Sequence, residues 1–247
     1  MGYIKHIGKQ KEYNFDYALT TDVDQEFMFE KAAKKQIGDF VNGINVTIFA
    51  YGKTGSGKTF SMTGPETVTD SLKNSFTDIP ESTQKLFGII PRACIQIFQG
   101  INEYVRDGCQ CKLTASYCEV YMEKIYDLLT KDRKEITLKY LGGMYLMDKL
   151  TKRDCMTPEE IFGVIADGTA NKSTAATAQN ARSSRSHTIL TIELEKTEIS
   201  GTKTNSKLFL VDLAGSERVI FVYQRIFRFQ NFLFCFYKLY SAIKNSC

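Results

Sequence analysis

The sequence predicts a three-layer α/β domain, with a mixed central sheet and helices on both faces. Two observations support this prediction. Runs rich in β-branched and aromatic residues alternate with segments of helical apolar spacing, and a glycine-rich turn joins the first buried run to a helix. The chain has 247 residues, 43% of them hydrophobic, which is enough for one large domain with a substantial core.

Four segments are predicted as strands of the central sheet. Residues 46–51 form a run of β-branched and aromatic side chains, as expected of a strand that is buried on both faces. Residues 111–121, 188–195 and 206–212 are further predicted strands, and residues 12–17 form a shorter alternating segment.

Helices are predicted between these strands. Apolar side chains recur at helical spacing over residues 24–41, and Gly43 marks the end of that helix. A second helix starts at Lys58, a third spans residues 90–101, and a fourth lies near residues 158–166. The sequence contains no heptad repeat, so it predicts no coiled coil within this chain.

Residues 64–88 are predicted to form a long surface loop. They contain Gly64, Pro65 and Pro80 together with many serine, threonine and aspartate residues, which favour turns over regular elements. Loops of this length in a compact domain are usually functional or disordered.

Charge and cysteine content argue against several classes of function. Net charge is +4, and residues 1–218 carry as many basic as acidic side chains, so we expect no nucleic-acid partner. The seven cysteines are scattered and only two histidines are present, which indicates reduced thiols in a cytosolic protein rather than disulfides or a zinc site. We also expect no membrane segment, because the longest apolar run near the C-terminus has six residues and a spanning helix needs about 20.

A glycine-rich motif with the spacing GxxxxGK[ST] follows the first long predicted strand. Its glycines let backbone N–H groups surround a phosphate, while Lys58 is expected to reach the β- and γ-phosphates and Thr59 to ligate Mg²⁺. The strand before the motif and the helix after it are the context that a P-loop requires. The predicted phosphate-binding residues are Gly52, Lys53, Thr54, Gly55, Ser56, Gly57, Lys58 and Thr59.

Two further polar segments are candidates for the reaction itself. A dense polar run, residues 180–187, comes directly before one predicted strand, and residues 212–217 begin where another ends. An acid at the end of a buried strand is where P-loop enzymes hold Mg²⁺, and a glycine beyond it lets a backbone N–H approach a γ-phosphate. Taken singly, each segment is also compatible with a structural role.

In their order along the chain, the three segments resemble those of the kinesin motor domain. Residues 51–59 resemble the family P-loop Y-G-Q-T-G-S-G-K-T, residues 180–187 resemble switch I, N-x-x-S-S-R-S-H, and residues 212–217 match switch II, D-L-A-G-S-E. The resemblance covers residues 12–218 and implies a P-loop NTPase fold and a microtubule motor that hydrolyses ATP with Mg²⁺. It also implies a cytoplasmic, cytoskeletal protein with tubulin as its partner and an oligomeric state set by a stalk outside this chain.

The resemblance implies a metal site and a contact to the base. Thr59, Ser184 and Asp212 would hold Mg²⁺, and Phe60 would stack on the adenine. A core position for the Phe60 ring is the alternative.

The resemblance also implies a set of catalytic residues. Arg185 and Glu217 would form an ion pair that closes the two switches around ATP and orders the attacking water. Gly215 would hydrogen-bond the γ-phosphate, Asn180 would line its other side, and Ser184 would contact it together with the metal.

The sequence departs from the family at a P-loop position and at both ends. Lys53 replaces the usual glutamine, a side chain that the backbone cradle does not need. Residues 1–11 contain no R-x-R-P strand, and residues 219–247 show none of the long helix that carries most of the microtubule-binding face, so we expect edge elements to be missing at both ends.

The last 29 residues include nine aromatic side chains and no acid, glycine or proline. This composition is typical of translated intron or frameshifted sequence, with a divergent strand or helix as the alternative, and residues 1–218 are the predicted motor domain.

Three functions therefore compete. They are a microtubule motor ATPase, an ATP-binding chain of kinesin origin without motility, and a generic P-loop phosphotransferase, of which the last fits the P-loop but not the switches. Since residues 142–157 alone resemble a remaining tubulin contact, we expect the purified chain to show low solubility and no microtubule gliding.

Overall fold

The computed structural model describes residues 2–6, 11–73, 78–141, 144–176 and 185–218. Within these ranges the strands are β1 (Gly2–His6), β2 (Lys11–Phe15), β3 (Val46–Ala50), β4 (Gln110–Tyr121), β5 (Lys124–Asp127), β6 (Glu135–Ile136), β7 (Leu138–Leu141), β8 (Met144–Met147), β9 (Arg153–Asp154), β10 (His187–Thr197) and β11 (Lys203–Asp212). The helices are α1 (Gln25–Ala32), α2 (Lys34–Val41), α3 (Lys58–Met62), α4 (Glu66–Ser71), α5 (Glu81–Gln84), α6 (Ile89–Arg106) and α7 (Pro158–Ala176), followed by a 3-10 turn, Ser216–Arg218. The segment 219–247 lies outside the described residues.

The central sheet is mixed. Its strand order within the described ranges is β3-β11-β10-β4-β5-β6, with β9 also paired to β4. β3 runs parallel to β11, and the other pairings in this sheet are antiparallel. The pairs β1–β2 and β7–β8 form two separate antiparallel ribbons. The α/β fold with a mixed sheet, and the four long strands predicted from the sequence, are confirmed.

Alternate side chains of the sheet fill two apolar clusters, because successive residues of a strand point to opposite faces. Leu190 and Ile192 of β10 belong to the first cluster, together with side chains of α1, α2, α6 and α7. Ile189 of β10 and Val211 of β11 belong to the second, with Met147 packed against it. On the face of the sheet that carries the second cluster, the predicted layer of helices stays a prediction.

Three chain segments meet at one edge of this sheet. In the parallel pair, Asp212 lies beside Ala50, at the carboxyl ends of β11 and β3. The antiparallel partner β10 begins at the same edge, with Thr188 opposite Asp212. The loops after β3 and β11 and the segment before β10 therefore emerge side by side, at the position where α/β sheets commonly bind ligands.

The single helix predicted over residues 24–41 is two helices, α1 and α2. They are divided at Ala33, whose φ of −136° departs from helical geometry. Ala33 is fully buried, and Ile37 and Phe40 of α2 still face the core. The apolar spacing continues across the break, so periodicity alone could not reveal it.

The prediction of a surface loop over all of residues 64–88 is wrong. It contains α4 and α5, and Pro65 and Pro80 occupy the N-cap positions of these helices, where the missing proline N–H is not needed. Four of its apolar side chains are buried in the first cluster: Val68, Leu72, Ile79 and Phe87.

Replacing Ile192 by alanine is expected to lower the free energy of unfolding by about 2–5 kcal/mol. Ile192 is 0% exposed at the centre of β10, so the change leaves a cavity between sheet and helices. The matched control is Ile199→Ala in the turn after β10, where the side chain is 81% exposed and the loss should stay below about 0.5 kcal/mol. Urea denaturation followed by circular dichroism compares the two variants, and equal losses would contradict the assignment of this core.

Candidate nucleotide site

The glycine-rich segment forms the loop between β3 and α3, as predicted. Gly55 and Gly57 have φ angles of +76° and +83°, a left-handed conformation that residues with a side chain adopt at a cost. Gly57 is the N-cap of α3, and the first helical hydrogen bond runs from the Ser61 N–H to its carbonyl at 2.8 Å. The N–H groups of Lys58, Thr59 and Phe60 therefore have no acceptor within the helix.

The Lys58 side chain folds back over this loop. Its Nζ donates to the carbonyls of Gly52, at 3.1 Å, and of Lys53, at 2.9 Å. A cation is thereby held at the mouth of the loop, where it can neutralise phosphate charge. The neighbouring Lys53 side chain is exposed, and its carbonyl rather than its ammonium takes part in this arrangement.

Thr59 and Asp212 form a candidate Mg²⁺ site. The Thr59 hydroxyl donates to Asp212 Oδ2 at 2.6 Å, which joins the start of α3 to the end of β11. The second carboxylate oxygen, Asp212 Oδ1, is buried and has no hydrogen-bond partner among the described residues. Mg²⁺ prefers oxygen ligands and keeps several of its waters, so an unsatisfied carboxylate oxygen beside a hydroxyl fits this ion.

The turn after β11 is hydrogen-bonded to the glycine-rich loop. Ser216 N–H donates to the Gly52 carbonyl at 2.9 Å, and Thr54 N–H donates to Glu217 Oε2 at 3.1 Å. The Thr54 hydroxyl donates to the same carboxylate. This hydroxyl contact, with the backbone N–H groups, lowers the pKa of Glu217 to about 2 and keeps the side chain ionised. A Cβ on Gly215 would overlap the Thr54 hydroxyl and the Glu217 carboxylate, so a larger residue there would displace one or both of these side chains.

The predicted switch residues are only partly described. Arg185 is exposed in the turn before β10, and within the described part of the chain it forms no ion pair with Glu217. The bridge between these two residues stays a prediction. Asn180 and Ser184 lie outside the described residues.

Phe60 lines a cavity of about 630 Å³ that adjoins the glycine-rich loop. Phe60 is 50% exposed, and its backbone carbonyl accepts a hydrogen bond from Gln25 Nε2 at 2.8 Å. Ser56, Gly57 and Lys58 line the same cavity. The alternative of a buried core position for the Phe60 ring is wrong.

Two residues at this site were missed by the sequence reasoning. Buried His187 accepts a hydrogen bond from the Ala214 N–H at Nδ1, 3.0 Å, and so ties the start of β10 to the residues before Gly215. Burial lowers the pKa of His187, in keeping with the neutral ring that an accepting Nδ1 requires. His187 closes the polar run 180–187, which was a signal for it; Gln25, at the start of α1, had no such signal.

The described residues contain neither a helix that could cross a membrane nor a cluster of metal-ligating side chains. None of the helices described is both long and apolar enough to cross a bilayer. Across the same ranges, no group of three or more histidine, cysteine, aspartate or glutamate side chains is arranged to hold a metal ion.

Comparison with known proteins shows one consistent likeness. A family model described as the kinesin motor domain matches residues 4–224. Kinesin-related protein 3 of Dictyostelium discoideum is 39% identical over 210 residues, which cover 84% of this chain and 16% of the relative. Carboxy-terminal kinesin 2 of Xenopus laevis is 37% identical over 229 residues, covering 87% of this chain and 33% of the relative.

The fold is also similar to that of a solved kinesin. A structure of a fast kinesin superposes with a TM-score of 0.74 at 32% identity, covering 85% of this chain and 56% of that one. This chain thus spans about half of the solved domain and from 16% to 33% of the length of the two relatives named above. Because the family model matches most of the sequence, the chain belongs to the kinesin motor domain family.

Proposed function

We propose that this chain is the nucleotide-hydrolysing part of a microtubule motor. It binds ATP with Mg²⁺ and transfers the γ-phosphoryl group to water, which releases ADP and phosphate. The observation that carries the proposal is the direct bonding of two segments: Thr59 to Asp212 at 2.6 Å, and Ser216 to the Gly52 carbonyl at 2.9 Å. These contacts join the glycine-rich loop and the start of α3 to the end of β11 and the turn after it.

In this proposal the glycine-rich loop binds the phosphates. Its backbone N–H groups surround the β-phosphate, and the Lys58 ammonium neutralises charge on the β- and γ-phosphates. The oxygens of Thr59 and Asp212, with Ser184 on motif alone, would hold Mg²⁺. When bound, Mg²⁺ offsets charge that develops on the phosphate oxygens.

The switch residues position the water. Gly215 offers its N–H to the γ-phosphate, since the absence of a side chain permits a close approach. Arg185 and Glu217 pair when ATP closes the site, and Asn180 lines the γ-phosphate from the other side. Phosphoryl transfer depends mainly on positioning and charge stabilisation, so these few groups are sufficient for the chemistry. Loss of the γ-phosphate then releases the switches and permits movement.

Microtubules are the proposed partner. Support comes from the kinesin family match and from the fast kinesin, whose structure was analysed for its interactions with microtubules. Within this chain, residues 142–157, which resemble the family's secondary tubulin contact, carry the proposed contact. We propose a microtubule-associated location in the cytoplasm.

Co-sedimentation with polymerised tubulin tests the partner. The chain is expected to pellet with microtubules more with a non-hydrolysable ATP analogue than with ADP, because closed switches favour the bound state. The Lys58→Ala variant is the control and should show no difference between the two nucleotides. Phosphate release from ATP is measured on the same samples. ATP binding without any nucleotide-dependent pelleting would favour an ATP-binding chain without motility, and phosphate transfer to a small molecule would favour a phosphotransferase.

A further inference from the structure

The cavity beside the glycine-rich loop has a second apolar wall that the family motifs do not include. Leu86, two residues after the end of the short helix α5, lines this cavity together with Phe60 of α3. Leu86 is 42% exposed and Phe60 is 50% exposed. Two large apolar side chains from separate elements thus line the same space, together with Ser56, Gly57 and Lys58 of the glycine-rich loop.

The backbone around Leu86 is held in place from one side by a single arginine. Arg92 of α6 donates through Nε to the Phe87 carbonyl at 2.9 Å and through Nη2 to the Lys85 carbonyl at 3.2 Å. A longer contact of 3.4 Å joins the same nitrogen to the Gln84 carbonyl. The guanidinium therefore fastens the chain on both sides of Leu86 to the long helix α6.

The same segment is also fastened to the end of α3. Gly88 N–H donates to the Thr63 carbonyl at 3.1 Å. The Leu86 carbonyl approaches Gly64 so closely that a Cβ there would lie 2.6 Å from it. Position 64 has a φ of +109°, so both its backbone conformation and its surroundings require glycine. Leu86 is consequently fixed relative to the helix that bears Phe60.

We propose that Leu86 is an affinity-determining residue that packs against the base of a bound nucleotide, with Arg92 as its positioning residue. The inference rests on the proposed function. A ligand whose phosphates occupy the glycine-rich loop extends from Ser56 and Lys58 into this cavity. The part of a nucleotide that matches two exposed apolar walls is its flat, weakly polar base. Burial of the Leu86 side chain on that base favours binding, and the fixed backbone lowers the entropy cost of the contact.

Two ligands separate the base contact from the phosphate contact. Isothermal titration calorimetry gives Kd for ATP and for inorganic tripolyphosphate, which has the phosphates and no base, both with Mg²⁺. Leu86→Ala is expected to weaken ATP binding about tenfold, since most of a leucine side chain loses its contact. Tripolyphosphate binding should stay within about twofold of the unaltered chain. Leu86→Met, which retains apolar bulk, should bind ATP within about threefold.

Two further variants provide the control and the positioning test. Leu138→Ala removes a leucine of similar exposure, 37%, on β7 and should change neither Kd. Arg92→Gln should weaken ATP binding and leave tripolyphosphate binding unchanged, and a merely structural role for Arg92 would weaken both. Equal weakening of both ligands by Leu86→Ala, or no change in either, would overturn the proposal while the nucleotide site stands. If the unaltered chain binds neither ligand, the proposed function fails and this inference fails with it.

Discussion

Replacement of Lys58 by alanine is expected to abolish nucleotide binding. The Lys58 ammonium is held over the glycine-rich loop by the Gly52 and Lys53 carbonyls, at 3.1 and 2.9 Å. Without it, phosphate charge enters a site that lacks its principal cation. Loss of one partner of a desolvated charge pair costs about 2–5 kcal/mol. Since each 1.4 kcal/mol is tenfold, Kd for ATP should rise at least about 30-fold.

The neighbouring lysine provides a matched control for this experiment. Lys53→Ala removes the same charge and the same side chain five positions earlier, where only the backbone contacts the Lys58 ammonium. Its ATP affinity should stay within about threefold of the unaltered chain. Calorimetry on both variants, with circular dichroism to verify folding, gives the comparison. Unchanged ATP affinity in folded Lys58→Ala would contradict the P-loop assignment.

Arg185→Ala and Glu217→Ala are each expected to slow ATP hydrolysis about 100-fold or more without weakening ATP binding. Loss of one group that positions charge in a transition state has effects of this size. In the present structure Glu217 is bonded to Thr54 instead of Arg185. The two side chains should therefore be coupled in the hydrolysis rate, measured in single turnovers, and uncoupled in the unfolding free energy of the nucleotide-free protein. In the double-mutant cycle for the hydrolysis rate, the double variant should be little slower than either single variant.

The control for this double-mutant cycle is an ion pair that the structure already contains. Lys152 Nζ and Glu193 Oε2 lie 2.8 Å apart at the surface, away from the glycine-rich loop. Their alanine variants should show a coupling of about 0.2–1 kcal/mol in the unfolding free energy and none in hydrolysis. Strictly additive effects of Arg185→Ala and Glu217→Ala on hydrolysis would argue against a shared bridge.

The parts of the fold that were predicted correctly depend on local patterns. The run at 46–51 and the glycines after it determine a strand, a loop and a helix start within a few residues, and β3 and α3 lie where expected. Composition was misleading over residues 64–88, because prolines and polar residues can also begin short helices. Whether Leu72 or Phe87 is buried depends on distant elements, which no local window contains.

The contacts of the site depend on residues that are far apart in the sequence. The bond between Thr54 and Glu217 joins positions 163 residues apart, and that between Gln25 and Phe60 joins positions 35 apart. Motif matching identified the glycine-rich loop and Glu217 separately. The sheet register that places Asp212 beside Ala50 brings their segments together, and it follows from the packing of the whole domain.

The hydrogen bond from Thr54 to Glu217 links phosphate binding in the glycine-rich loop to the position of the Glu217 side chain. One backbone N–H makes one strong hydrogen bond. A phosphate oxygen and the Glu217 carboxylate therefore cannot both accept from the Thr54 N–H. Any ligand that takes this donor must displace the carboxylate, while the bond from the Ser216 N–H to the Gly52 carbonyl still joins the turn to the loop. A phosphate at this donor and the Glu217 contact are thus mutually exclusive. By thermodynamic linkage, whatever holds the Glu217 carboxylate elsewhere must also tighten phosphate binding.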